Sequence, residues 1–121
     1  MSWRDSDTRL TENHGVLSTF CDEREWGQYH SPRNLVMALS VEVAELQELY
    51  LWSRDDGPQP PVAARSGRVA EEAADVFITL LNFCRASGID LAAATEAKMA
   101  KNAIKYPADL ARGRLEKSDE L

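Results

Sequence analysis

Four carboxylates at matched spacing are the groups in this sequence best placed to do chemistry. Glu42 and Glu45 lie in the stretch LVMALSVEVAELQELYLW, and Glu72 and Asp75 lie in VAEEAADVFITLLNFCRA. At about 100° per residue, Leu35, Leu39, Leu46 and Leu49 share a helical stripe about 80° wide, and Glu42 falls inside it. Glu45 sits at the edge of that stripe, and Glu48 points to the far side. In the second stretch Val76, Thr79 and Phe83 lie within about 40° of Glu72, with Asp75 about 60° away. A core-facing carboxylate is costly unless it is neutral, paired or bound to a cation. Residues three apart are neighbours on one helix face, so each pair addresses a common space. Antiparallel packing of the two helices would gather up to four carboxylates, whose mutual repulsion calls for a cation. An all-oxygen ligand set selects a hard ion, Mg²⁺ first, with Mn²⁺ or Ca²⁺ after it. A di-iron centre needs Glu-x-x-His on two helices; here Glu45 or Asp75 holds the last position, and His14 and His30 stand elsewhere. Glu48 and Glu71 read more simply as solvated.

Mg²⁺ on carboxylates keeps positions open for substrate phosphates, which in turn favour nearby cations. Asn102 and Lys105 lie within about 40° of Lys98 on a helical projection, with Lys101 adjacent. They read equally as a phosphate site or as a solvated basic face near a helix C-terminus. Trp26, Tyr29 and Trp52 could stack on a nucleobase; each tryptophan taken alone reads as well as a core or interface residue. His30 and Asn34 open the same helix as Glu42, where capping or exposure explains them as readily as ligand contact.

The elements that must position these groups are helical. Strand alternation is nearly absent, and four helices are expected over about 6–25, 32–53, 69–86 and 91–105. Asp5, Ser6 and Asp7 offer caps for the first, and Ser31-Pro32 opens the second. Gly57 to Pro61 mark a loop, 62–68 reads as either helix start or loop, and 108–121 as a charged tail. The third helix is apolar nearly all round, which implies burial against another subunit as well as its own core. The 121 residues suit a single all-α domain, with its core over about 6–107. A net charge of −6 argues against binding a nucleic-acid polymer. Two cysteines without a CxxC, a polar N-terminus and no apolar run of about 18 residues point to a reduced, cytoplasmic protein that does not enter a membrane.

Three ordered blocks, EREWGQYHSPRNLVMALSVEVAELQELYLW, EEAADVFITLLNFCRASGIDL and KMAKNAIKYP, carry a resemblance to a known family. Together they resemble the MazG-like all-α nucleoside triphosphate pyrophosphohydrolases, and within them the dCTP pyrophosphatase branch. The resemblance implies a four-helix MazG-like bundle, assembled as a homodimer or homotetramer with the site built partly from a neighbouring chain. It implies Mg²⁺-dependent cleavage between the α- and β-phosphates of dCTP or a modified dNTP, giving a monophosphate and pyrophosphate. Glu42, Glu45, Glu72 and Asp75 then correspond to metal ligands, with Glu45 favoured for activating water. Lys98, Asn102 and Tyr106 then match positions that contribute to phosphate and sugar binding, and Trp26, His30, Asn34 and Trp52 match positions around the base. Lys101 or Lys105 is expected to join Lys98 on the leaving pyrophosphate. Leu17 and Thr79 depart from the histidine and tyrosine of the animal enzymes, which leaves the base preference open. A non-catalytic helical module, or a pyrophosphatase for a biosynthetic nucleotide such as phosphoribosyl-ATP, are the competing functions.

Overall fold

Helices and turns make up the regular structure in the computed structural model, which describes residues 1–53 and 67–121, and no strand occurs among them. The expected loop and the ambiguous start of the third helix lie mostly outside the described residues. Met1–Gly88 and Ile89–Leu121 form two compact units.

In the first unit α1 runs Leu10–Glu23, four residues shorter at its start than the sequence suggests. The reason is local. The amides of Asp7 and Thr8 donate to the carbonyl of Arg4 at 3.1 and 2.9 Å. The amide of Arg4 in turn donates to Thr8 Oγ1 at 2.8 Å. That turn uses the groups a helix would have needed, so Asp5, Ser6 and Asp7 cap nothing. The helix starts instead from Arg9, without a side-chain cap. Glu25, in a left-handed conformation (φ 54°), then leads into a single 3₁₀ turn, Trp26–Tyr29.

Helix α2, Pro32–Glu48, begins as expected: Ser31 Oγ accepts the amide of Asn34 at 3.2 Å, with proline in the first turn. It ends about four residues early. Beyond Glu48 the bonds tighten to i+3, Leu51 to Glu48 and Ser53 to Tyr50. Trp52 follows with φ at 66°, outside the right-handed region. Helix α3, Arg68–Ser87, lies between two left-handed glycines, Gly67 and Gly88. The amide of Gly88 closes the last turn on the carbonyls of Cys84 and Arg85. At φ 66° a β-carbon is disfavoured, although nothing lies within 4 Å of where it would sit. Gly88→Ala should therefore cost about 1 kcal/mol through backbone strain alone, measurable as a lowered urea midpoint with unchanged slope.

Helix α2 packs chiefly against α3, and α1 also lies on α3. Leu35 is buried at one end of the α2 stripe, while Leu39, Glu42 and Leu46 are half-buried and their neighbours exposed. On α3, Leu81 is fully enclosed and Cys84 nearly so. The apolar stripes expected on both helices are therefore the inward faces, and each carries its glutamate.

In the second unit α4 runs Leu91–Lys105, capped by Asp90 Oδ1 on the amide of Ala93 at 3.0 Å. The amide of Tyr106 closes it on the carbonyl of Asn102 at 2.8 Å, and Pro107 prevents continuation. The tail is less featureless than its charge suggests. It holds a one-turn helix α5, Ala108–Ala111, and a 3₁₀ turn Ser118–Glu120. No single helix among the described residues is long and apolar enough to cross a membrane.

Candidate active site

The α2–α3 pairing brings three of the four expected carboxylates together. One oxygen each from Glu42, Glu45 and Glu72 lies within 4.8 Å of the others. Asp75 falls outside that triad but adds its charge to both Glu42 and Glu72. Higher on α2, Leu35 and Ala38 share a cavity with Thr79 and Asn82 of α3, so the helices run antiparallel.

Helix geometry explains the cluster. Glu42 and Glu72 are first members of i, i+3 pairs on inward stripes, so packing the stripes places the acids against one another. Burial is the largest cause that raises the pKa of Glu42 above its ordinary 4.5, followed by the charges of Glu45 and Asp75. Glu72 is raised in the same way, burial first, with Arg68 opposing the shift slightly. Glu45 is within hydrogen-bonding reach of both and exposed to solvent. The Oε2 atoms of Glu42 and Glu72 are buried with no hydrogen-bond partner among the described residues. Orphaned buried carboxylate oxygens are expensive, and a cation is one group that could satisfy them. The donor set is hard oxygen throughout, which fits Mg²⁺ or Mn²⁺ and disfavours softer metals.

Above this cluster is a cavity of about 340 Å³. Glu42 and Asp75 form one end of its lining, and Trp26 and His30 contribute aromatic walls. The Trp26 ring meets Phe20 edge-on at 5.6 Å and His30 at 6.4 Å. Phe20 is in turn covered by the guanidinium of Arg24, 3.6 Å from the ring centre. A partly exposed tryptophan held edge-on by one aromatic keeps a face available for stacking.

The other expected residues are placed differently. Asn34 does not line the cavity: its amide Nδ2 donates to the carbonyl of Tyr29 at 3.0 Å, tying the 3₁₀ turn to α2. That bond holds Trp26 and His30 against the helix that carries Glu42. Trp52 is 92% exposed at the end of α2 and also lies away from the cavity. Lys98, Lys101, Asn102 and Lys105 occupy α4, and Tyr106 ends it. Leu17 and Thr79 both line the cavity. Phe20 and Asn82 line it too, and the sequence reading passed over them. For Asn82 a signal existed: it is a polar residue in the apolar run TLLNFC, the same anomaly that singles out Glu42.

This chain belongs to the MazG-like family, whose model it matches over residues 37–121. The matched stretch holds all four carboxylates and α4, but not Trp26 or His30. The chain is 43% identical over 114 residues to dCTP pyrophosphatase 1 of Homo sapiens, covering 93% of this chain and 67% of that protein. It is 38% identical over 110 residues to dCTP pyrophosphatase 1 of Bos taurus, covering 89% of this chain and 65% of that one. It thus spans about two thirds of the length of these curated relatives. Among solved structures it resembles a pyrophosphatase from Archaeoglobus fulgidus, with a TM-score of 0.76 and 39% identity over 88% of this chain and 99% of the other.

Proposed function

We propose that the chain is a nucleotide pyrophosphohydrolase that cleaves a deoxynucleoside triphosphate between the α- and β-phosphates. The observation carrying this reading is the adjacency of two features: orphaned buried oxygens on Glu42 and Glu72, and a cavity with Trp26 and His30 on its walls. A cation centre beside an aromatic slot suits a phosphorylated base. The names of the relatives, dCTP pyrophosphatase 1, support the same class and make dCTP or a modified dNTP the first substrates to try.

Glu42, Glu45, Glu72 and Asp75 would hold Mg²⁺, with Mn²⁺ a substitute. Held by these carboxylates, such an ion would supply positive charge to offset the negative charge that develops on the phosphate oxygens. Glu45 combines solvent access with proximity to both half-buried acids, which suits it to orient and deprotonate the attacking water. Trp26 stacks on the base and His30 contacts its surroundings. Lys98, Lys101 and Lys105 are assigned to the phosphates, with Asn102 and Tyr106 on phosphate and sugar. Asn34 acts through the turn it holds.

A homodimer or homotetramer accompanies this assignment. The outer face of α2 exposes Val36, Met37, Val41 and Val43 by 47–58%, more apolar surface than a helix facing water normally carries. A second copy would cover it and give the exposed Trp52 a partner.

The test is a panel of deoxy-, ribo- and modified triphosphates, with pyrophosphate release followed with and without Mg²⁺. Turnover of at least one dNTP to monophosphate and pyrophosphate is expected, dependent on the ion. A non-catalytic module would show no turnover and no thermal stabilisation by Mg²⁺ plus nucleotide, since only a ligand that binds the folded state raises its melting temperature. Trp26→Ala should raise KM for the best dNTP about tenfold with little change in kcat, from about 1–3 kcal/mol of lost stacking.

A further inference from the structure

We infer that Asn82 reads the nucleobase as a fixed hydrogen-bond donor, and that Arg85 is the positioning residue that fixes it. This rests on the proposed function and goes beyond it, by naming a chemical feature the bound base must present.

Asn82 lies on α3, 8% exposed, and lines the cavity that also holds Trp26 and Glu42. A primary amide can turn either its oxygen or its NH₂ group toward a ligand, and the two ends ask opposite things of a base. Here the choice is made by a neighbour. Arg85 Nη2 lies 2.7 Å from Asn82 Oδ1. A guanidinium has donors only, so the atom it meets must be the amide oxygen. Reversing the amide would set NH₂ against NH₂ at that distance. The same Nη2 atom lies 4.0 Å from the sulfur of buried Cys21, which holds the guanidinium from the α1 side.

Arg85 does not line the cavity, whereas Asn82 does. With the oxygen turned to an arginine that is not on the cavity wall, Nδ2 is the end of the amide left to face the cavity. No partner for Nδ2 is found among the described residues. Thr79, one turn earlier on α3, is the next polar group of that helix on the cavity wall. A donor at this point selects a base edge that carries an acceptor there, a carbonyl oxygen or a ring nitrogen lone pair. It rejects an edge that presents N–H or NH₂, because two buried donors would face each other unpaired.

The experiment compares wild type with Asn82→Leu, Asn82→Asp and Arg85→Met in steady-state pyrophosphate release. The substrates are the four common dNTPs and a 2′-deoxyribose 5′-triphosphate that lacks a base. Asn82→Leu keeps the volume and removes the donor. It should raise KM for the preferred dNTP by about 5- to 15-fold with kcat within about twofold, and leave the base-free triphosphate unchanged. Asn82→Asp keeps the shape and the contact to Arg85 but offers the cavity an acceptor. It should lower kcat/KM for the preferred base further than leucine does and reorder the ranking of bases. Arg85→Met releases the amide to turn, so the ratio between best and worst base should shrink about threefold or more. Because Asp keeps the Arg85 contact, it decides the matter even if the leucine variant fails to fold. An unchanged ranking in Asn82→Asp, or equal losses on the base-free substrate, overturns the assignment while leaving the pyrophosphohydrolase reading intact. A wild-type protein that cleaves no triphosphate at all overturns both.

Discussion

Glu42→Gln is expected to lower turnover of the best dNTP by at least about a thousandfold while leaving a folded helical protein. The substitution keeps the side chain's shape and removes the charge that a divalent ion needs. Glu42 is the carboxylate set deepest in the α2 stripe, and one of its oxygens is buried with no partner. Loss of a single electrostatic group aimed at developing charge typically costs 10²- to 10³-fold, and a metal ligand at the centre of a cluster should reach or exceed that range. The stability effect should have the opposite sign. In the metal-free protein Glu42 faces the charges of Glu45, Asp75 and Glu72 in a partly desolvated site. Removing one anion relieves that repulsion, so without metal the variant should melt at the same temperature as wild type or higher. Circular dichroism and pyrophosphate release on the same sample separate the two effects. Near-full activity of Glu42→Gln on every nucleotide tried would show that this carboxylate cluster is not the active centre.

The second large effect concerns removal of the ion. Chelation by EDTA should bring turnover to background, and Mg²⁺ should restore it and raise the melting temperature. The pH dependence of that stabilisation follows from the raised pKa values of Glu42 and Glu72, whose first cause is burial and whose second is the charge of Glu45. An unfolded glutamate titrates near 4.5, and the folded ones hold their protons to higher pH. Between those limits the folded state binds more protons than the unfolded state, so unfolding free energy falls as pH rises. Below 4.5 both states are protonated and the penalty is absent. The metal-free protein should therefore lose stability as pH climbs through this window. Ion binding requires deprotonated carboxylates, so Mg²⁺ should restore most where the loss is greatest. At about a hundredfold excess over Kd the gain is about 2.7 kcal/mol, easily seen by differential scanning fluorimetry. A melting temperature at about pH 8 that ignores Mg²⁺, Mn²⁺ and EDTA alike would rule out a cation centre among these acids.

These two results would test the part of the protein most legible in its sequence. Glu42 and Glu72 are visible without a structure because helical periodicity is rigid: once the leucine stripe is known, a glutamate within it must point where the leucines point. Helix ends were legible where a side chain acts on its own backbone, as Ser31 and Asp90 do. They were not where two local preferences competed. Thr8 diverted the segment around Asp5 into a turn, and Trp52 adopted a left-handed conformation where the apolar pattern would have carried the helix on.

Periodicity and residue chemistry thus determined the helical class, the inward faces and the pairing of acids, since each depends only on neighbours within a turn or two of chain. The tertiary structure decided which carboxylates meet. It gathered Glu42, Glu45 and Glu72 more closely than Asp75, because the depth and register of α2 against α3 depend on how all their side chains interlock. It also decided that Trp26 faces the cavity with Glu42 while Trp52 lies open to solvent. The orientation of the Asn82 amide belongs to the same category. Its contact with Arg85 lies within one helical turn, but only the packing of the other helices against α3 puts Asn82 on a cavity wall and brings Cys21 up to the same guanidinium.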